Sequence, residues 1–235
     1  MTPEFTTRQI RPIECVKESW ALIKDEYWLL FAVSLVGILL AGISMYVLLG
    51  PMLCGIYICF FKRIDGGKVV FDDLWLGFKY FGRSLLLTIV MVVPIVIYFV
   101  AVFATIYIPL IMQAVGGGRI DERQLLTTFL TAIVVDLVVA VVMVCVHSLL
   151  MFAFPLMVDR GLPSWDAMKL SARATLGNMS GIGGLIGVNF VLALAGEALC
   201  GVGLYLVMPI ILATNLVAYR KVFPKSHPNA YPELS

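Results

Sequence analysis

The sequence predicts an all-α protein, a polytopic bundle of membrane-spanning helices. The chain has 235 residues, of which 61% are hydrophobic and only 14% are charged. Soluble domains are close to half apolar and a quarter charged, so this composition is typical of a protein embedded in lipid. The mean hydropathy of +0.98 agrees. The apolar residues are concentrated in four blocks, and short polar stretches with helical periodicity separate them.

The first and fourth blocks, 27–61 and 181–219, are each long enough for two helices. A helix needs about 20 apolar residues to cross a bilayer core about 30 Å thick. Glycine permits sharp reversals, and glycine-containing turns at 41–44 and 200–203 would divide each block into two short spans.

The two middle blocks, 84–113 and 125–158, fit one long or tilted span each. The stretch 114–124 between them holds three glycines and several charges, as expected of an aqueous loop. The total is about six spans. Five spans remain the alternative if the first block forms a single bent helix.

The distribution of positive charge supports six spans with both termini in the cytoplasm. In that arrangement 15 of the 17 lysines and arginines are cytoplasmic, and only Arg119 and Arg123 lie outside. This is the bias described by the positive-inside rule. The polar first twenty residues contain no apolar core of a signal peptide, which also favours a cytoplasmic N-terminus.

Three polar connectors predict short amphipathic helices on the cytoplasmic side. They are residues 12–26, 71–83 and 164–178, and each contains one tryptophan. In the first connector, Ile13, Val16, Trp20 and Ile23 form an apolar face. Helices of this composition are expected to lie in the headgroup region.

The chain therefore reads as a single membrane domain, 1–235, made of three segments, 11–63, 70–158 and 163–222. Each segment consists of an interfacial helix followed by a transmembrane hairpin. The first and third segments also share letters: "ECVKES" corresponds to "DAMKLS", "LLGPM" to "LVMPI" and "FFKRI" to "AYRKV". We interpret this as an internal repeat whose copies have the same orientation.

Two stretches carry a family resemblance, "PLMVDRGLPSWDAMKLSARATLGN" (155–178) and "MPIILATNLVAYRKVF" (208–223). They resemble a broad group of functionally uncharacterised bacterial membrane proteins with about six helices. That group includes the membrane domain fused to some glycerophosphodiester phosphodiesterases. The resemblance implies a bacterial inner-membrane bundle with interfacial helices, and it implies no established activity.

Asp136 is the most unusual residue, because a carboxylate inside an apolar span marks an interior or water-facing position. His147 lies eleven residues later on the same predicted helix face, about 16 Å away along the axis. Ala132 and Ala140 lie near Asp136 on a face of small residues, which indicates helix–helix contact. Asp136 is therefore either a hydrogen-bonded packing residue, a coupling carboxylate or a contact to another subunit.

The fourth block contains further polar and small residues within the predicted spans. Glu197 lies beside the outer turn and is expected to reach water, whereas Asn189 can hydrogen-bond across helices. Gly183 and Gly187 form a GxxxG pair, which predicts close helix packing.

These observations predict a protein that is not an enzyme and needs no cofactor or metal. The sequence contains neither a catalytic set nor a CxxC pair. The expected role is an accessory or scaffolding subunit, and the alternative is a small permease for a lipid-like or cationic solute, with Asp136 as coupling carboxylate. The expected partners are anionic lipid headgroups and either another membrane protein or a second copy of the chain, with no nucleic acid.

Overall fold

A computed structural model describes residues 5–7, 10–115, 122–198 and 201–224, and these residues contain helices and no strands. The predicted all-α class is confirmed. Parts of the predicted loop 114–124 and of the predicted turn 200–203 lie outside the described residues. The α-helices are α1 (Pro12–Ile23), α2 (Tyr27–Ile43), α3 (Leu49–Ile64), α4 (Phe81–Val102), α5 (Ile108–Val115), α6 (Glu122–Leu149), α7 (Ala153–Arg160), α8 (Ser164–Gly177), α9 (Met179–Glu197) and α10 (Val202–Val222).

Shorter helical pieces lie between these helices. A 3-10 turn at Lys24–Glu26 joins α1 to α2, and a π-helical turn at Phe103–Tyr107 joins α4 to α5. A ten-residue 3-10 helix, Phe71–Tyr80, leads into α4. We call this last piece the 3-10 connector. The connector, α1 and α8 occupy the three positions at which the sequence predicts short helices.

Five helical stretches in the described part of the chain are long and apolar enough to cross a membrane. By length and composition the chain is therefore a multi-pass membrane protein. Helix α3 is not among the five, because it has 16 residues and spans about 24 Å at 1.5 Å per residue. The five stretches are Pro12–Ile43, Phe71–Met112, Leu125–Arg160, Met179–Glu197 and Val202–Val222.

The two hairpin turns differ in the residue types that adopt positive φ values. The first lies just after the predicted stretch 41–44, since α2 continues to Ile43. Met45 and Tyr46 take positive φ values of 51° and 66° there, a conformation that costs non-glycine residues about 1–2 kcal/mol. Ser44 stabilises this turn, because its Oγ donates to the Ala41 carbonyl and accepts from the Leu48 N–H. The second turn uses Gly201, with a φ of 78°.

The chain divides into two compact units. The larger unit comprises Met1–Thr88 and Ser148–Ser235, and the smaller unit comprises Ile89–His147. The core of the larger unit surrounds α3, in which every residue from 50 to 61 except Leu53 is buried. Helices α2, α7 and α10 and the 3-10 connector cover α3.

Two glycines allow the 3-10 connector to cross α3 at backbone contact distance. A Cβ atom added to Gly55 would collide with the carbonyl oxygen of Leu74, and one added to Gly77 would collide with the carbonyl oxygen of Pro51. The connector is fixed further by Asp73, whose Oδ2 accepts from the Val70 N–H at 3.1 Å. This crossing is the most extensive helix contact of the larger unit.

The three short helices follow one packing rule within the larger unit. Each packs against the last helix of the preceding sequence segment: the 3-10 connector against α3, α8 against α7, and α1 against α10. The arrangement is cyclic, because the first segment closes against the third.

Helices α1 and α8 bury residues at equivalent positions, 152 residues apart. Cys15, Ser19 and Ile23 are buried in α1, and Ala167, Ser171 and Thr175 are buried in α8. This register extends the letter match found in the sequence. Within the predicted apolar face of α1, Ile23 is buried, whereas Ile13 and Trp20 are exposed. Small residues allow helices to approach closely in membranes, so the small face is the one that packs.

The smaller unit contains the end of α4, the π-helical turn, α5 and most of α6. Pro109 explains the π-helical turn, because it has no N–H to donate to the carbonyl of Thr105 four residues earlier. Ala132 is buried at 1% exposure, while most large side chains of α6 are exposed.

Candidate functional site

Three helices of the larger unit end at a shared cluster of charges. Arg220, in the last turn of α10, lies 2.9 Å from the Asp65 carboxylate and 2.8 Å from the Asp159 carboxylate. Asp65 caps the end of α3, and Asp159 lies in the last turn of α7. The three side chains are only 7–13% exposed. One guanidinium group therefore joins the ends of three helices.

The position of the two aspartates explains why they need this cation. A helix C-terminus carries partial negative charge, so an acidic residue there is locally unfavourable. Two such carboxylates near each other also repel, and low exposure strengthens the repulsion. The guanidinium of Arg220 donates a hydrogen bond to Asp65 Oδ2 and forms an ion pair with Asp159 Oδ1. We call Asp65, Asp159 and Arg220 the charge triad.

Aromatic rings surround the charge triad. The guanidinium carbon of Arg220 lies 4.5 Å from the centre of the Phe61 ring, and the Tyr219 hydroxyl donates to Asp159 Oδ2 at 2.7 Å. Tyr219 itself packs against Phe61, with ring centres 5.4 Å apart, and against Phe223 at 5.0 Å. These contacts fix the triad in one geometry and shield it from solvent.

Further ion pairs involve the neighbouring basic residues. Lys62 binds the fully buried Asp73 at 2.5 Å, so it joins α3 to the 3-10 connector. Lys221 binds Glu18 at 2.9 Å and joins α10 to α1. In both cases a basic residue at the end of one helix binds an acid on the short helix packed against it. The ion pairs thus repeat the cyclic packing rule of the fold.

Arg63 makes a third such connection. Its Nε donates to the Leu22 carbonyl at 2.7 Å, and its guanidinium lies 3.3 Å from Asp25 and 3.6 Å from Glu26. It therefore holds the junction between α1 and α2. The basic residues at this end of the larger unit contribute to internal bonding as well as to surface charge.

The charged side chains around the triad act as electrostatic cross-links between helices of the larger unit. The acids are held by cations, and the described residues contain no group of three or more His, Cys, Asp or Glu side chains that could hold a metal ion. Removing one partner of a buried ion pair leaves an uncompensated charge, which typically costs 3–5 kcal/mol. The triad is therefore suited to hold helix ends together.

Asp136 and His147 both lie on α6 in the smaller unit. The Asp136 side chain is half-buried, and its Oδ1 is fully enclosed with no hydrogen-bond partner among the described residues. His147 is half-buried, and its Nδ1 is 2.8 Å from the carbonyl oxygen of Met143 one turn earlier. The structure does not bring the two together, since eleven residues separate them along one helix.

Asn189 and Glu197 lie on α9. The Asn189 amide donates to Asn215 Oδ1 at 2.7 Å, so it links α9 to α10. Glu197 is exposed at the end of α9.

The four residues predicted to mediate helix packing differ in how deeply they are buried. Ala132 is buried and Ala140 is half-buried. Gly183 and Gly187 are exposed, and a Cβ atom added to either would meet no atom within 4 Å. The close glycine contacts of α9 are instead at Gly181, beside Ile10, and at Gly184, beside Pro12.

Sequence reasoning missed the charge triad. Asp65 and Asp159 are separated by 94 residues, and Arg220 was counted only for its effect on orientation. A signal was present, because "FFKRID" and "LMVDR" both place an aspartate where an apolar block ends. Acids at that position oppose the helix dipole and so indicate a partner from elsewhere.

No known protein family matches the chain, and no curated protein or solved structure is significantly similar to it. The resemblance to membrane domains fused to phosphodiesterases therefore stays a prediction from two motifs.

Proposed function

We propose that this chain is a non-enzymatic, six-span protein of the bacterial inner membrane. It serves as an accessory or scaffolding subunit that packs against lipid or a larger membrane complex. In this proposal α3 is the sixth span, and the charge triad and both termini face the cytoplasm. The three short helices lie at the cytoplasmic headgroup region, where exposed Trp20 and Trp165 would meet lipid.

The observation that carries this proposal is the surface of the smaller unit. Large apolar side chains that are each more than half exposed cover most of one half of the circumference of α6, and the exposed Thr127 and Thr131 interrupt them near the start of the helix. An apolar face of this length belongs against lipid or another membrane helix. The face consists of Leu126, Leu130, Ile133, Val134, Leu137, Val138, Val141 and Val142.

Purification from native membranes in a mild detergent tests the subunit role. We expect a stoichiometric membrane partner to co-purify with the tagged chain. Leu130→Ala with Leu137→Ala should reduce its recovery several-fold, because the two residues lie in the exposed face of α6. The matched control is Val191→Ala with Leu194→Ala on α9, whose side chains are similarly exposed. Recovery of the intact chain alone, as a monomer, would contradict the subunit role.

A second candidate function, a small permease, is favoured by one observation. Asp136 Oδ1 is enclosed and lacks a hydrogen-bond partner among the described residues, and its side chain lies on the side of α6 opposite the exposed apolar face. A carboxylate in such a position is suited to take up a proton or bind a cation.

Flux into proteoliposomes tests the permease. If Asp136 is the coupling carboxylate, the parent protein transports a cationic solute and Asp136→Asn abolishes that transport. Glu197→Gln is the matched control, because Glu197 is exposed at a helix end. Equal flux in the parent and in Asp136→Asn would refute this candidate.

A further inference from the structure

Helix α8 exposes one stripe of aromatic, basic and apolar side chains. The members of the stripe are three or four residues apart in the sequence, so together they cover about 80° of the helix circumference. The opposite side of the helix is buried. We call this surface the α8 stripe, and its members are Trp165, Lys169, Arg173 and Leu176.

Hydrogen bonds to the turn before α7 hold α8 with this stripe facing outward. The Ser171 hydroxyl donates to the Leu149 carbonyl at 2.7 Å and accepts from the Phe152 N–H at 3.1 Å. The Thr175 hydroxyl donates to the Ser148 carbonyl at 3.3 Å. Because Ser171 and Thr175 are both buried, these bonds set the orientation of the helix before any ligand binds.

The α8 stripe contains a cation that is already positioned. The ammonium nitrogen of Lys169 lies 5.2 Å from the centre of the Trp165 ring, a cation–π contact. Arg173 adds a second cation one turn later, and Asp166 is the one acidic residue in the sequence of α8. The helix is therefore net positive on its exposed side. Lysine and arginine are the residues that commonly bind phosphate groups in proteins.

Both ends of α8 lie beside helices of membrane-crossing length. Helix α8 ends at Gly177, and α9 begins at Met179. At the other end, the Ser164 hydroxyl donates to the Arg83 carbonyl in the first turn of α4. Helices α9 and α4 both belong to the stretches that are long and apolar enough to cross a membrane. An exposed stripe of tryptophan and basic residues at this level is suited to the headgroup region.

The 3-10 connector contains the same two residue types at the same spacing, but its geometry separates them. Trp75 and Lys79 are both exposed, and at three residues per turn their side chains point about 120° apart. Trp75 stacks on Phe78 instead, with ring centres 6.1 Å apart. Lys79 is therefore a matched control for Lys169, because it carries the same charge at an exposed position four residues after a tryptophan.

We propose that the α8 stripe binds the headgroup of an anionic phospholipid. Lys169, held over the Trp165 ring, binds the phosphate, and Trp165 and Leu176 contact the upper part of the acyl chains. A zwitterionic phospholipid has no net charge and is held less tightly. This inference rests on the headgroup-level placement of α8 in the proposed function, and it adds the class of lipid and the residues that select it.

Quenching of Trp165 fluorescence by brominated lipids tests this proposal in the full chain. Trp20→Phe, Trp28→Phe and Trp75→Phe leave Trp165 as the only tryptophan. The protein is placed in bilayers of equal amounts of phosphatidylglycerol and phosphatidylcholine, with bromine on the acyl chains of one lipid at a time. We expect at least about fivefold preference for phosphatidylglycerol beside Trp165, which is the effect of one lysine near a membrane surface. Native mass spectrometry of the unsubstituted chain with the same lipids should show the same preference.

Three variants separate a site on α8 from the general positive charge of the protein. Lys169→Gln should lower the preference about fivefold, whereas Lys79→Gln and Lys169→Arg should keep it. Equal quenching by the two lipids, or an equal loss in Lys169→Gln and Lys79→Gln, would overturn the proposal and leave the placement of α8 at the membrane intact. If neither lipid quenches Trp165, both the proposal and that placement are wrong.

Discussion

Arg220 shows how one residue can join elements that are distant in the sequence. Its guanidinium binds two carboxylates from two other helices, and it lies over the Phe61 ring. Both carboxylates are at helix C-termini, where they would be unfavourable without a counter-charge. The net value of such a buried network is small in comparison with well-packed apolar residues, but the loss of one member is costly. The residue therefore determines how strongly the helix ends stay together.

Arg220→Gln should lower the free energy of unfolding by about 3–5 kcal/mol, because it leaves Asp65 and Asp159 buried without their cation. Thermal unfolding in detergent measures this loss. Lys79→Gln is the matched control, since it removes the same charge from an exposed side chain and should change stability by less than about 1 kcal/mol. Equal unfolding temperatures for the two variants would show that the triad does not hold the helix ends.

At the scale of elements, glycine position decides which helices can touch. The 3-10 connector crosses α3 where Gly55 and Gly77 bring the backbones together, and no side chain fits between them. The GxxxG pair of α9, in contrast, lies on an open face. A GxxxG motif permits a second helix to approach closely, but whether a helix packs there depends on the rest of the fold.

Gly77→Ala and Gly183→Ala should therefore have opposite effects. The first substitution forces a Cβ into the backbone of α3 and should destabilise the protein by about 1–3 kcal/mol. The second meets open space inside a helix and should stabilise it by about 0.5–1 kcal/mol, through the higher helix propensity of alanine. Thermal unfolding of both variants beside the parent tests the pair, and a loss of stability in Gly183→Ala would indicate a neighbour on that face.

The sequence predicts the positions of the helices in this chain better than it predicts which helices pack against one another. Hydropathy and periodicity place the apolar blocks and the short helices at 12–26, 71–83 and 164–178, because these patterns are local. The packing side of α1 was not predicted, because the expected apolar stripe includes Ile13 and Trp20, which are exposed. In a membrane both lipid and protein are apolar, so the hydrophobic pattern does not show which side of a helix is covered.

At the scale of the whole molecule, the larger unit combines helices from both ends of the chain. Ser19 of α1 and Thr214 of α10 are buried with their hydroxyls 2.9 Å apart, and Lys221 binds Glu18 nearby. The charge triad adds α3 and α7 to the same assembly. The Ser19–Thr214 and Lys221–Glu18 contacts have sequence separations of 195 and 203 residues, and Arg220 and Asp65 of the triad are 155 residues apart. Periodicity is a local pattern and charge counts carry no positions in space, so neither could reveal the triad as a candidate site. The sequence marks Asp65 and Asp159 as acids at the ends of apolar blocks, but only the fold shows that Arg220 binds both of them.

The orientation of this assembly depends on α3. If α3 crosses the membrane, the turn at Ser44–Leu48 and the residues after α3 lie on opposite sides, and the charge triad faces the cytoplasm. The 16 residues of α3 are short for a full span, so flanking residues would have to reach the interfaces or the bilayer would have to thin locally. The six-span account therefore predicts that residues 46 and 68, which are only 22 residues apart and flank α3, lie on opposite sides of the membrane.

Cysteine labelling of intact cells at positions 46 and 68 tests the account most directly. Tyr46→Cys and Lys68→Cys both place the thiol at exposed positions, and a background without the native cysteines removes unrelated signal. The six-span account predicts that a membrane-impermeant maleimide labels position 46 in intact cells and labels position 68 only after the inner membrane is opened. Labelling of both positions from the same side would contradict it, because α3 would then not cross the membrane.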